Sequence, residues 1–158
     1  MKIAFLMFFF LSSSVCGSSS VCGSMSAVAQ DFPSFRGKAE NAIKAKNPGL
    51  NLIRKEEKDK EVVYLWGPTK ADIVLGIFYG ASEQEATEKM KTSISHISVG
   101  PDNKLAGIGD EAYLWKSYGR STGIIRFRKS NVYIDLVAPS VAMAEDLARS
   151  LADLIPGK

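Results

Sequence analysis

The sequence predicts an α+β domain built on a curved antiparallel sheet of about five or six strands, with about three helices covering one face. Three observations predict it. Apolar residues recur at helical spacing in three separate stretches, around Phe35, Met90 and Leu147. Between them lie short alternating or β-branched runs bounded by Gly, Pro, Asn and Ser, as strands require. Finally, residues 74–97 align without gaps on residues 132–155, each a strand, a serine cap and a helix, which points to an internal duplication.

The chain of 158 residues opens with Lys2 ahead of an apolar run, residues 3–11, too short to span a bilayer. Ala27-Val28-Ala29 then offers small residues where signal peptidase needs them. The expected division is therefore a signal peptide at 1–29 and a single globular domain at 30–158, exported to the periplasm or secreted. Both cysteines, Cys16 and Cys22, fall in the segment to be removed, within the repeated hexapeptide Ser-Ser-Val-Cys-Gly-Ser. The domain would then have neither disulfides nor thiol chemistry. Lipid attachment at Cys16 or Cys22 is the alternative, but Val before each cysteine and Ser three before it fit a bacterial lipobox poorly.

Asp31 is placed to cap the first helix, in which Phe32, Phe35, Ala39, Ala42 and Ile43 share one stripe and Asn47-Pro48-Gly49 ends the run. Leu50 and Leu52 open a strand, residues 54–61 carry charges of both signs and read as a turn, and residues 62–66 return as the second arm of a hairpin. Residues 73–79 are apolar on both faces, as in a central strand. Ser82 with Glu85 forms a capping box for a second helix whose stripe is Ala86, Met90, Ile94 and Ile97. Strands follow at 112–115, 123–128 and 132–137, the last two joined through Lys129-Ser130, a register that sets Phe127 opposite Val132 and Arg126 opposite Tyr133. Ser140 caps the last helix, with Met143, Leu147, Leu151 and Leu154 on one side.

Residues 107–113, Gly-Ile-Gly-Asp-Glu-Ala-Tyr, with residues 125–133 and the last helix, resemble a pattern found in small exported bacterial domains. Among these are the extracellular sensor domains of mycobacterial serine/threonine kinases and related lipoproteins of unknown role. The resemblance covers about the last 50 residues and implies an α+β fold and an extracytoplasmic binding or sensing role, with no enzymatic activity to transfer. The chain departs from that pattern in having no kinase part, no membrane-spanning part and none of the bracing cysteines.

Charge excludes little. After residue 29 the 19 basic and 17 acidic residues nearly balance, which demands neither nucleic acid nor an acidic membrane. The single histidine, His96, falls on the solvent side of the second helix with Lys89, Thr92 and Ser93, and no cofactor or metal ligand set accompanies it. Gly107 to Asp110 lacks the spacing of a phosphate loop and reads as a tight turn capped by its aspartate. No nucleophile-elbow sequence surrounds any serine. Outside the charged stretch, Asp110, Glu111 and Asp135 are the carboxylates near expected strands that acid–base chemistry could use, and they carry the alternative of a small hydrolase.

The surface expected to matter is the outward side of the late hairpin, Arg126, Arg128 and Tyr133, joined by Trp66 and Trp115 if the Tyr64/Trp66 and Tyr113/Trp115 pairs lie on the open sheet face; Lys116 and Arg120 are further members. The function expected is non-catalytic binding of an envelope polymer, a lipid or a protein, with no nucleic acid and no membrane span after cleavage. A structural envelope component is a further alternative.

Overall fold

The computed structural model describes residues 25–68, 72–98, 100–117 and 121–156. The class is α+β. Helix α1 (Met25–Lys46) leads into strands β1 (Asn51–Lys58), β2 (Glu61–Gly67) and β3 (Ile73–Tyr79), then helix α2 (Glu83–Ser95). Strands β4 (Asn103–Leu105), β5 (Glu111–Lys116), β6 (Gly123–Lys129) and β7 (Val132–Ala138) precede helix α3 (Val141–Leu154). The strands form one open antiparallel sheet of seven, ordered β1-β2-β3-β7-β6-β5-β4.

Each strand sends alternate side chains to opposite faces. One face carries Tyr64, Trp66, Leu75, Leu114, Ile125, Phe127, Ile134 and Leu136, all buried with Phe35, Ala39 and Ile43 of α1 and Leu147 and Leu151 of α3 in one continuous core. Among the described residues the other face is covered by α2, through a small cluster of Phe78, Ala86, Met90 and Tyr133. The helices therefore do not share a face. A strand such as β3, apolar on both sides, needs cover on both, and α2 supplies the second layer.

The sheet exceeds the expected five or six strands because β4, three residues pairing along β5, is too short to leave an alternation signal. The β1–β2 hairpin forms, but only Asp59 and Lys60 of the charged stretch make its turn; residues 54–58 lie in β1, an edge strand exposed along nearly its whole length, and Glu61 opens β2. Helix α1 begins before Asp31 and continues across the expected cleavage point, so Asp31 is not a cap. Cys16, Cys22 and the apolar run at residues 3–11 lie outside the described residues.

The β6–β7 hairpin forms, but its loop is Ser130-Asn131. Phe127 pairs with Ile134, Arg126 with Asp135 and Arg128 with Tyr133. Moving the loop by one residue moves the register by two, which leaves every side chain on its expected face. The reason is local: Ser130 takes φ 53°, and the Asn131 amide donates to the Gly80 carbonyl at 2.7 Å while Gly80 N–H donates back to the Asn131 carbonyl at 2.8 Å.

The recurrence of strand, cap and helix holds as local geometry. Ser82 and Ser140 occupy equivalent N-caps, accepting from Glu85 N–H and Met143 N–H. In the same alignment Ala86 and Met90 match Ala144 and Ala148, all buried. Val74, Gly76 and Phe78 lie on the sheet face that α2 packs on, as Val132, Ile134 and Leu136 lie on the face that α3 packs on. The two units nevertheless place their helices on opposite faces, so the expected pseudo-twofold with all helices on one side does not describe the molecule.

Candidate functional site

The half-covered face is organised as rows running across the strands. One row is Glu61, Phe78, Tyr133, Arg128 and Glu111; the next is Val63, Gly76, Asp135, Arg126 and Tyr113; the third is Leu65, Val74, Val137, Ile124 and Trp115. Helix α2 lies over the first two. The third row lies beyond its cluster, and Leu65, Val74, Ile124 and Val137 remain partly exposed.

Ser93 ties α2 down. Its carbonyl accepts from Arg126 Nη1 at 2.7 Å, and its hydroxyl accepts from the Tyr133 phenol at 2.8 Å. Sequence periodicity put Ser93 on the solvent side with His96; the helix instead turns Ser93 inward beside Met90, where the buried Tyr133 and the partly buried Arg126 find it as a partner. Burial, with the nearby Asp135 carboxylate, holds the Tyr133 hydroxyl far above the usual phenol range, so it remains a donor. Arg126 also grips Asp135 Oδ2, through Nε at 3.0 Å and Nη2 at 2.9 Å, and lies 5.6 Å from the centre of the Trp115 ring.

Arg128 performs a different task. Its Nη1 donates to Glu83 of α2, to Asp110 and to its own hairpin at Ser130 O, at 3.0, 3.0 and 3.1 Å. Asp110 Oδ2 also accepts Ser130 N–H at 2.8 Å, so the Gly107–Asp110 turn is a clasp on the β6–β7 hairpin. Gly109 is required there: φ is 59°, and a Cβ would collide with the Arg128 carbonyl.

The five expected patch residues thus do not form one exposed surface. Trp66, with Tyr64 stacked on it at 5.1 Å, is fully buried in the α1/α3 core on the opposite face. Trp115 and Tyr133 lie on the α2 face yet are only 5% and 4% exposed, while Arg126 and Arg128 serve as internal clamps. Lys116 is exposed at the end of β5, and Arg120 lies outside the described residues. The carboxylates are separately engaged: Asp110 by Ser130 and Arg128, Glu111 by the Tyr113 hydroxyl at 2.8 Å, Asp135 by Arg126. Among the described residues, no three Cys, His, Asp or Glu side chains are grouped so as to hold a metal ion. No described helix is long and apolar enough to cross a membrane.

What the structure does bring together is a cleft of about 230 Å³ between α2 and the sheet, lined by Glu61, Val63, Gly76, Phe78, Lys89, Ser93, Tyr133 and Asp135. A shallower basin of about 360 Å³ adjoins it, sharing Lys89 and Ser93 and reaching His96 and Arg126. His96 is exposed at the C-cap of α2, its Nδ1 against Thr92 O. Of the cleft residues, the sequence singled out Tyr133 and Asp135. Gly76 left one trace, as a glycine inside an otherwise apolar strand. No protein-family model matches the chain, and a search of curated proteins finds no match.

Proposed function

We propose that this chain is a non-catalytic, extracytoplasmic binding module that meets an envelope polymer, a lipid or a protein with the α2 face of its sheet. The observation that carries the reading is the incomplete cover of that face. Among the described residues one helix shields two of its rows, leaving beside the helix a mainly apolar cleft that carries a few charged and polar groups, and beyond it a partly exposed aliphatic row. The α1/α3 face, by contrast, is packed under two helices in one continuous core. A mainly apolar pocket with a few placed polar groups is the usual composition of a small-ligand site. The extracytoplasmic setting rests on the charged and apolar leader and the small residues before Gln30.

The test is a hydrogen-exchange footprint with isolated peptidoglycan, with lipid vesicles and with envelope protein extract. Protection is expected at β3, β6 and β7 around Val74, Ile124 and Val137, and Ile124→Glu should abolish it without lowering the unfolding temperature. Protection confined to α1 and α3, or none with any of the three, overturns the reading.

A further inference from the structure

Two glycines inside strands serve opposite purposes. At Gly123 an added Cβ would lie 2.8 Å from Val141 Cα and 3.0 Å from Ala144 Cβ, so close packing of α3 demands the glycine. At Gly76 the same atom would meet, among the described residues, only Asp135, at ordinary contact distances of 3.6 and 3.7 Å, and the backbone is not left-handed. A glycine in mid-strand costs roughly 0.5–1 kcal/mol relative to alanine. Neither sterics nor backbone conformation explains that cost at Gly76. The space it leaves is the floor of the cleft.

The walls have a definite chemistry. Two carboxylates, Glu61 and Asp135, and two aromatic rings, Phe78 and Tyr133, border the floor. Arg126 engages only Oδ2 of Asp135, and among the described residues Oδ1 has no hydrogen-bond partner. At the rim the Lys89 ammonium donates to Glu61 and stands 5.3 Å from the centre of the Phe78 ring. The rim therefore already holds a cation between a carboxylate and an aromatic face, the arrangement that recognises ammonium groups. Lys89 is substantially exposed, its side chain 39% accessible, so its head can leave for solvent.

We propose that the Gly76 cleft binds a small ammonium group, primary or quaternary, which displaces the head of Lys89 and is held by Asp135, Glu61 and the two rings. This rests on the α2 face being the binding surface and names the chemistry it recognises. The ammonium can belong to a free amine or to a lipid headgroup.

The experiment is an NMR titration of the domain with tetramethylammonium chloride and with ethanolamine, against sodium acetate and sodium chloride. The ammonium probes should shift Gly76, Phe78, Tyr133 and Asp135, while the sodium salts should not. Gly76→Val should weaken binding at least tenfold. Gly76→Ala, which the fold accommodates, should weaken it while the unfolding temperature holds or rises. Lys89→Met should tighten binding several-fold by removing the internal competitor. Binding to phosphatidylcholine vesicles that tetramethylammonium competes away assigns the headgroup source; retained ammonium shifts without vesicle binding assign the free amine. Shifts with acetate instead of ammonium, or weaker ammonium binding in Lys89→Met, overturn the proposal. Those results leave the footprint on Val74, Ile124 and Val137 to judge the binding face independently.

Discussion

Single side chains on the α2 face act as ties between elements. Arg128 is the extreme case, since one guanidinium nitrogen joins α2, the Gly107–Asp110 turn and the β6–β7 hairpin. Replacing it by methionine keeps the stem's packing but leaves Ser130 O without that donor and removes two charge-assisted bonds, each typically worth ~1.5–3 kcal/mol when buried. The carboxylates of Glu83 and Asp110 are about two-fifths exposed, and water takes back part of that energy. Arg128→Met should therefore lower stability by about 2 kcal/mol in denaturant unfolding; a loss under about 0.5 kcal/mol would show that the three contacts are independent surface pairs. The arginine was conspicuous in the sequence. Its partners were not, because Glu83 and Asp110 lie 45 and 18 residues away and only the packing of α2 and the turn brings them together.

Among the elements, the caps were the most legible feature, being decided within four residues. Ser82 accepts Glu85 N–H at 3.2 Å, and Glu85 returns a carboxylate to Ala81 N–H at 2.6 Å and to Lys60 at 2.7 Å. Ser82→Ala should cost about 1 kcal/mol of stability, measured by thermal unfolding. The Lys60 hydrogen bond, followed by that from Ala81 N–H, lowers the Glu85 carboxyl below the ordinary glutamate range. Such a group stabilises the fold above its unfolded pKa and loses that contribution as pH falls through its lowered folded value. Because Glu85 is open to solvent the effect is small, and Glu85→Gln should flatten the acid limb of the stability curve by a few tenths of a kcal/mol. An unchanged acid limb would mean that the Lys60 contact does not persist in solution. The turn of the β6–β7 hairpin was less legible, since Gly80, on another strand end, fixes which residues form it.

For the molecule as a whole, the open sheet leaves two edges, and β1 is the long one. Its charges oppose pairing with another chain: Arg54 bonds to Glu56, Lys55 pairs with Glu57 at 2.5 Å, and Arg36 of α1 reaches Glu57 at 2.8 Å. Replacing Arg54 and Glu56 together by valine should leave the unfolding temperature within a few degrees but promote aggregation, seen as rising light scattering with concentration; no rise would mean the edge is protected by the irregular register between Leu52 and Arg54 instead. By itself the sequence determined the α+β class, three helices, the serine caps of α2 and α3, and the apolar strands, because these depend on composition and short-range periodicity. Only the tertiary structure decided that α2 crosses to the opposite face from α1 and α3. Strand register set Trp66 and Trp115 on opposite faces and Gly76 beside Asp135, and the position of α2 turned Ser93 inward and made that pair part of a cleft. Alternation tells which residues share a face but not which face a helix will cover, since that depends on contacts between segments far apart in the chain.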